Sequence, residues 1–282
     1  MFDGRDEPSL IAHRGFAGES PENTVSAVER AASRGADWVE VDAVPTADGD
    51  VVAVHDAELS ARDGRGLTDA TGVVWETDTA TVTGAEVLGS GETVPLLADV
   101  LDAVPPAVGV NVELKNPGRW DLRPGEKLRG EALAERTAAW RPFVDSVLDV
   151  AADREGDVLC SSFCEGALAA VREASSLPVA PLVSRSVAAG LAMAREHDAA
   201  AIHPPIDAIR GTPFYDAERF GGSDTDGDRR GDRTDADSLV ATAHGEGLAV
   251  NVWTVETWYQ ADRLAAAGVD GVIADYSTLL RD

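Results

Sequence analysis

The chain has 282 residues, of which 44% are hydrophobic, and its formal net charge is −26. This length fits one large α/β barrel domain or two ordinary domains, and the apolar content is typical of a soluble globular protein. Because so acidic a surface repels phosphate-rich partners, the composition argues against binding of nucleic acid and of anionic membranes.

The N-terminal stretch MFDGRDEPS has no basic flank and no apolar core. No apolar run along the chain approaches the ~20 residues of a membrane span. We therefore expect a cytoplasmic protein without stable membrane association. Cys160 and Cys164 are the only cysteines; they are too few for a disulfide framework, and we predict two buried free thiols.

Short β-branched runs alternate with longer helical patterns, an order that is typical of βα units around a parallel sheet. The predicted strands are Leu10–Ala12, Trp38–Val44, Val110–Leu114, Val158–Ser161, Val179–Leu182, Ala200–Ile202, Leu248–Val252 and Gly271–Ile273. The predicted helices are 24–34, 131–153, 166–174, 186–197, 234–244 and 257–267. Eight strands favour an α/β fold of the (β/α)8 TIM-barrel type, which forms one domain over residues 1–282.

Two segments interrupt this alternation. Residues from about 57 to 108 carry turn signals and β-branched residues, and we predict a small insertion after the second strand, packed over the barrel mouth. The stretch GGSDTDGDRRGDRTDADS, residues 221–238, is polar and predicts a mobile acidic loop. Its spaced aspartates resemble a calcium loop, but Gly227 stands in the fourth place instead of the sixth and the closing glutamate is missing.

Carboxylates gather at the ends of two predicted strands. In DWVEVDA, Glu40 and Asp42 are two residues apart and therefore share one face of the strand, and in NVELK Glu113 and Lys115 do the same. Side chains on the inner face of a barrel converge at its C-terminal rim. Glu40, Asp42 and Glu113 can therefore meet around one hard divalent cation, Mg²⁺ or Ca²⁺, and all-oxygen ligation argues against zinc.

Two of the five histidines lie close to these carboxylates in the chain. His13 and Arg14 end the first strand, and His55 follows a predicted hairpin around Asp48 and Gly49. A single histidine is most often structural. Two histidines beside a carboxylate cluster, however, suit a general acid and a general base.

The stretch HRGFAGESPENTVSAVERAASRGADWVEVDAVPTADGDVVAVHD resembles the N-terminal signature of the glycerophosphodiester phosphodiesterases, within the phospholipase C-like phosphodiesterase superfamily. NVELK, SSF, VNVWTV and GVDGVIADY continue the resemblance over nearly the whole chain. It implies a TIM barrel with a small insertion. It also implies a site in which His13 and His55 are the catalytic acid/base pair, Glu40, Asp42 and Glu113 bind the metal, Arg14 and Lys115 contact the phosphate, and Trp253 walls the site.

The resemblance implies metal-dependent hydrolysis of a small glycerophosphodiester to glycerol 3-phosphate and an alcohol. One alternative is a lysophospholipase D-type enzyme that acts on a lipid. Another is a non-catalytic protein that binds a phosphodiester or a metal, although pure binding would not need His13 and His55. The sequence leaves open which histidine is the acid and which is the base. It also leaves open whether water or a hydroxyl of the substrate attacks first, and whether the protein forms a homo-oligomer.

Aspartate and glutamate are spread along the whole chain, a pattern that suits a halophilic protein in a very salty cytosol. At such salt concentrations screening removes most of the self-repulsion of the surface. We therefore expect the unfolding temperature, followed by circular dichroism, to be lower in dilute buffer than in molar KCl. An unchanged unfolding temperature would contradict this expectation.

Overall fold

The computed structural model describes residues 7–60, 66–221 and 238–280. Most of the predicted acidic loop, residues 222–237, lies outside these ranges, as do the first residues of the helix predicted at 234–244. None of the helices in the described ranges is long and apolar enough to cross a membrane.

Nine strands form one sheet in the described part of the chain. They are β1 (Ser9–His13), β2 (Trp38–Pro45), β3 (Val51–Ala53), β4 (Gly109–Leu114), β5 (Val158–Ser162), β6 (Val179–Pro181), β7 (Ala201–Ile202), β8 (Ala249–Val255) and β9 (Gly271–Ala274). Eight of them are parallel and follow one another as β6-β5-β4-β2-β1-β9-β8-β7, while β3 pairs antiparallel with β2. A parallel bridge between Leu182 and His203 lies between β6 and β7, so the eight strands form a nearly closed barrel. The predicted TIM-barrel fold is confirmed.

Apart from one short helix in the insertion, Thr79–Thr83, the helices connect the strands on the outside of the barrel. The helices are α1 (Val25–Ser33), α2 (Thr79–Thr83), α3 (Leu97–Ala103), α4 (Gly130–Ala152), α5 (Glu165–Ala174), α6 (Val187–Glu196), α7 (Ala217–Phe220), α8 (Leu239–Gly245) and α9 (Trp258–Ala266). Thr24 caps α1, because its hydroxyl accepts the backbone N–H of Ala27 at 3.2 Å. Gly35 follows α1 with a φ of 82°, a conformation that glycine adopts without strain and that ends the helix.

The inner face of the barrel is apolar at one end and charged at the other. Ile11, Trp38, Leu159 and Ile273 belong to a buried cluster inside the sheet. Trp38 lies against Gly109, where a Cβ atom would come within 2.4 Å of the indole ring. Along β2 the same face continues to Glu40 and Asp42, because side chains alternate with period two. Apolar side chains fill the N-terminal end of the barrel, and the polar side chains therefore lie at the C-terminal ends of the strands.

The insertion has a small hydrophobic core of its own. A hairpin turn at Gly49, whose φ is 91°, joins β2 to β3. The second core consists of Val44, Val52, Val54, Leu59, Leu67, Val74, Val82, Ala85, Val87 and Val94. α3 instead buries Leu97, Val100 and Leu101 in the main core of the barrel. The insertion therefore ends before Leu97, about a dozen residues earlier than the predicted boundary near 108.

Both cysteines are free and buried, as predicted. Cys160 lies within β5 and Cys164 directly precedes α5. Burial raises the pKa of the Cys160 thiol to about 12 and that of Cys164 to about 11. Such thiols are poor nucleophiles at neutral pH, and both pack as small apolar side chains.

Candidate active site

Three buried carboxylates meet at the C-terminal end of the barrel. Glu40 and Asp42 lie on β2, and Glu113 lies on the neighbouring β4, where it pairs directly with Asp42 in the parallel ladder. One carboxylate oxygen from each residue lies within 4.8 Å of the other two. The structure thus brings together the three residues that were predicted as metal ligands.

Two cations lie against these carboxylates. The Lys115 ammonium is 2.8 Å from Glu113 Oε1 and 3.4 Å from Asp42 Oδ1, and the Arg14 guanidinium is 3.2 Å from Asp42 Oδ2. Burial opposes ionisation of Asp42, but the two cations outweigh it and hold its pKa well below the usual range. Glu40 behaves differently, because burial and the charges of Asp42 and Glu113 raise its pKa well above the usual value.

The oxygens of this cluster fit a divalent cation. In the described part of the chain, the buried Oε1 of Glu40 has no hydrogen-bond donor, and Asp42 Oδ1 has only the Lys115 ammonium at 3.4 Å. Buried oxygens without a donor are unfavourable unless a cation or a proton compensates them. Carboxylate oxygens are the ligands that Mg²⁺ and Ca²⁺ prefer. The donor set therefore suits a hard cation.

The turn after β1 holds Arg14 against the cluster. The backbone N–H of Arg14 donates to Glu40 Oε2 at 3.0 Å, and its guanidinium donates to Glu22 Oε1 at 2.9 Å. Arg14 has a φ of 50° and the next residue, Gly15, a φ of 78°. A Cβ atom on Gly15 would lie 2.8 Å from Ala27 of α1, so only glycine fits this tight turn.

Asn23 clamps Asp42 through two hydrogen bonds. The Asn23 amide donates to Asp42 Oδ2 at 2.8 Å, and its carbonyl oxygen accepts the backbone N–H of Asp42 at 3.1 Å. Nothing in the sequence placed Asn23 in the site, because it lies directly before the helix predicted at 24–34. The sequence feature that could have indicated this role is the polar pair Glu22 and Asn23 directly before the capping residue. In the structure Glu22 binds Arg14 and Asn23 binds Asp42, and neither side chain caps the helix.

A carboxylate orients each of the two histidines. The Nδ1 atom of His13 is 2.6 Å from Asp275 Oδ1, and that of His55 is 2.7 Å from Asp56 Oδ1. Within residues 7–60, 66–221 and 238–280, neither ring forms a hydrogen bond through Nε2, and in His13 this atom lies 4.0 Å from Glu40 Oε2. Sequence analysis left Asp275 and Asp56 without a role, since 262 residues separate Asp275 from His13.

These groups surround one open cavity of about 130 Å³. Its lining includes His13, Arg14, Glu40, His55, Glu113, Lys115 and Trp253 among the predicted site residues, and Asp42 lies directly behind them. Phe163 forms a second aromatic wall, edge to face with Trp253 at 5.5 Å between ring centroids. All eight predicted residues therefore lie in or against the same cavity, whereas Phe163 was not predicted.

Trp253 is held in place from outside the cavity. Its indole N–H donates to the backbone carbonyl of His203 at 2.8 Å. The His203 ring itself is buried, it contacts Asn251 at 3.1 Å, and burial lowers its pKa to about 3. His203 is therefore neutral at physiological pH and supports the wall of the cavity.

Comparison with known proteins agrees with this geometry. A model of the glycerophosphoryl diester phosphodiesterase family matches residues 13–279. A probable glycerophosphodiester phosphodiesterase 2 of Mycobacterium tuberculosis is 29% identical over 273 residues, which are 96% of this chain and 89% of the relative. A glycerophosphodiester phosphodiesterase of Bacillus altitudinis is 39% identical over 111 residues, and this match spans only 45% of the relative's length.

Solved structures share the fold over nearly the whole chain. A phosphodiesterase of Oleispira antarctica, in complex with the product sn-glycerol 3-phosphate, superposes with a TM-score of 0.71 at 23% identity and covers 96% of this chain and 94% of its own. A structure from Silicibacter pomeroyi gives a TM-score of 0.70 at 25% identity, over 98% of this chain and 92% of its own. With the family model matched from residue 13 to residue 279, the chain belongs to the glycerophosphoryl diester phosphodiesterase family.

Proposed function

We propose that the chain hydrolyses glycerophosphodiesters to glycerol 3-phosphate and an alcohol with one bound divalent cation, Mg²⁺ or Ca²⁺. The observation that carries this proposal is one cavity that joins a buried carboxylate triad to two carboxylate-oriented histidines. The names of the relatives and the product bound in the Oleispira antarctica structure support it. The predicted cytoplasmic location and halophily stay predictions, and the oligomeric state stays open.

Glu40, Asp42 and Glu113 would hold the cation. When bound, the cation would polarise the phosphoryl group and stabilise the charge that grows on it. Arg14 and Lys115 border the cavity on either side of Asp42 and would bind the anionic phosphodiester. Their pKa values are raised because the neighbouring carboxylates outweigh burial, so both remain charged over the physiological range.

His13 and His55 would move the two protons of the reaction. The nucleophile must lose a proton and the leaving alcohol must gain one, and both histidines line the cavity with Nδ1 bound to a carboxylate, which leaves Nε2 to exchange the proton. Asp275 and Asp56 fix the tautomer in which Nδ1 carries the hydrogen. Trp253 and Phe163 would exclude water from one side of the substrate.

A lysophospholipase D-type activity is the second candidate. The Lysophospholipase D GDPD1 of Mus musculus is 23% identical over 293 residues, which are 96% of this chain and 84% of the relative. A non-catalytic binding protein is less consistent with the site, because binding alone would not need two oriented histidines.

Divalent cations should stabilise the protein. At a cation concentration ~100-fold above the dissociation constant, we expect Mg²⁺ or Ca²⁺ to raise the unfolding temperature by about 5 °C in molar KCl. Glu40→Gln should remove most of this increase, and Glu29→Gln, on the exposed face of α1, should keep it. Calorimetry of both variants checks the prediction; an equal response from Glu40→Gln and the native protein would contradict it.

Hydrolysis should depend on the cation and on both histidines. We expect glycerol 3-phosphate release from glycerophosphocholine in molar salt to stop with chelator, and His13→Ala and His55→Ala each to lower kcat by about 10²- to 10⁴-fold. His244→Ala is the matched control, because His244 is exposed at the opposite end of the barrel. Native turnover by His13→Ala would rule out the proposed role of that residue.

Asp275 should act through His13. In Asp275→Asn we expect kcat to fall about 10- to 100-fold with little change in KM, because the His13 ring loses its fixed tautomer while the substrate contacts stay. Asp275→Glu should recover part of the rate. Asp270→Asn is the control, since Asp270 pairs with the distant His244 at 2.8 Å. A change in KM alone would show that Asp275 contributes to binding instead.

A further inference from the structure

The exposed aromatic residues of the described chain gather at the end of the barrel where the cavity opens. The large apolar side chains with most exposure are Trp120 and Trp258 at 65%, Leu88 at 52%, Tyr259 at 50% and Tyr276 at 39%. Trp120 lies between β4 and α4, Trp258 and Tyr259 begin α9 directly after β8, and Tyr276 follows β9. We call these four aromatic residues the aromatic rim.

The aromatic rim flanks the cavity from opposite sides. In the strand order, β4 and β8 are four positions apart in a barrel of eight strands, so the loops after them stand across the mouth from each other. Tyr276 follows β9, which pairs with β1, the strand that carries His13. Side chains that project from opposite sides of one opening can contact the same plane outside the protein.

Neighbouring rings support the aromatic rim. Trp120 packs edge to face on Trp75 of the insertion, with 4.9 Å between ring centroids. Tyr259 packs in the same way on Phe214 at 5.7 Å. A single exposed aromatic side chain is common on protein surfaces, but supported rings on both sides of one cavity form an organised surface.

We propose that the aromatic rim docks the protein reversibly on the surface of a zwitterionic lipid aggregate, with the cavity facing the headgroups. Tryptophan and tyrosine favour the boundary between lipid and water, because each combines an apolar ring with a polar group. Docking in this orientation would bring a phosphodiester headgroup to the site while its acyl chain stays in the aggregate. The link to catalysis rests on the proposed function, whereas the docking itself does not.

The net charge of the protein favours a zwitterionic lipid surface over an anionic one. At modest salt, where the surface charges are not fully screened, a net charge of −26 opposes approach to an anionic bilayer and to a second copy of the chain. A zwitterionic surface carries no net charge and escapes this repulsion. Docking through four rings, without a membrane-spanning helix in the described residues, would be weak and reversible.

Vesicle binding tests the proposal without catalysis. At modest salt, flotation with phosphatidylcholine vesicles should carry the native protein, and the double variant Trp120→Ser, Trp258→Ser should bind at least about 10-fold more weakly. Glu155→Ser, which changes an exposed residue at the opposite end of the barrel, should bind like the native protein. Failure of the native protein to bind, equal binding by the double variant, or binding only to vesicles that contain phosphatidylglycerol would overturn the proposal.

Kinetics separates this inference from the proposed function. The double variant should hydrolyse soluble glycerophosphocholine at the native rate and lose about 10-fold in rate on micellar lysophosphatidylcholine. An equal loss on both substrates would assign the aromatic rim to the substrate path and overturn docking. Vesicle binding without turnover of either substrate would refute the proposed function alone. A native dimer that the double variant converts to a monomer would show that the rim joins two copies, and would also overturn the proposal.

Discussion

The structure of the site depends on the compensation of three buried carboxylates by two half-buried cations. Asp42 is ionised because Lys115 and Arg14 lie within 3.4 Å of its oxygens. Removing one partner of such a buried group leaves an uncompensated charge, a change that typically destabilises a protein by about 3–5 kcal/mol. Arg14 also pairs with Glu22, so the cations do not balance all the acidic groups around them. This deficit of positive charge makes the cavity a place where a cation is stabilising.

The pairing of the strands places these residues next to one another, independently of their side-chain conformations. Asp42 and Glu113 are direct partners across two parallel strands, and His13 is the partner of Glu40 across β1 and β2. The packed cluster around Trp38 closes the other end of the barrel. Asn23 then holds Asp42 by donating to its side chain and by accepting its backbone N–H. The site is therefore preorganised by the sheet and by one short loop.

The sequence predicted the parts of the site that follow from strand periodicity. Glu40, Asp42 and Glu113 could be placed because period two and the convergence of barrel strands are local rules. Asp275 could not be placed in this way, since its contact with His13 joins the two ends of the chain. The insertion boundary was set too late because the short apolar pattern of α3 is compatible both with the small core and with the barrel core. Which of the two cores α3 joins depends on its packing against neighbouring elements, and the sequence of α3 alone does not specify that packing.

The separation between strands and loops also explains how one barrel can carry both a charged cavity and an aromatic surface. The carboxylates stand on β2 and β4, whose conformation is fixed by the ladder, whereas the exposed rings stand in the segments that follow β4, β8 and β9. Exposed residues in these segments can change with little effect on the core, because few buried contacts depend on them. The support of Trp120 by Trp75 and of Tyr259 by Phe214 comes from other loops and not from the strands. The surface around the cavity can therefore vary while the geometry of the charged groups stays the same, and the choice of substrate environment is set by a different part of the chain from the chemistry.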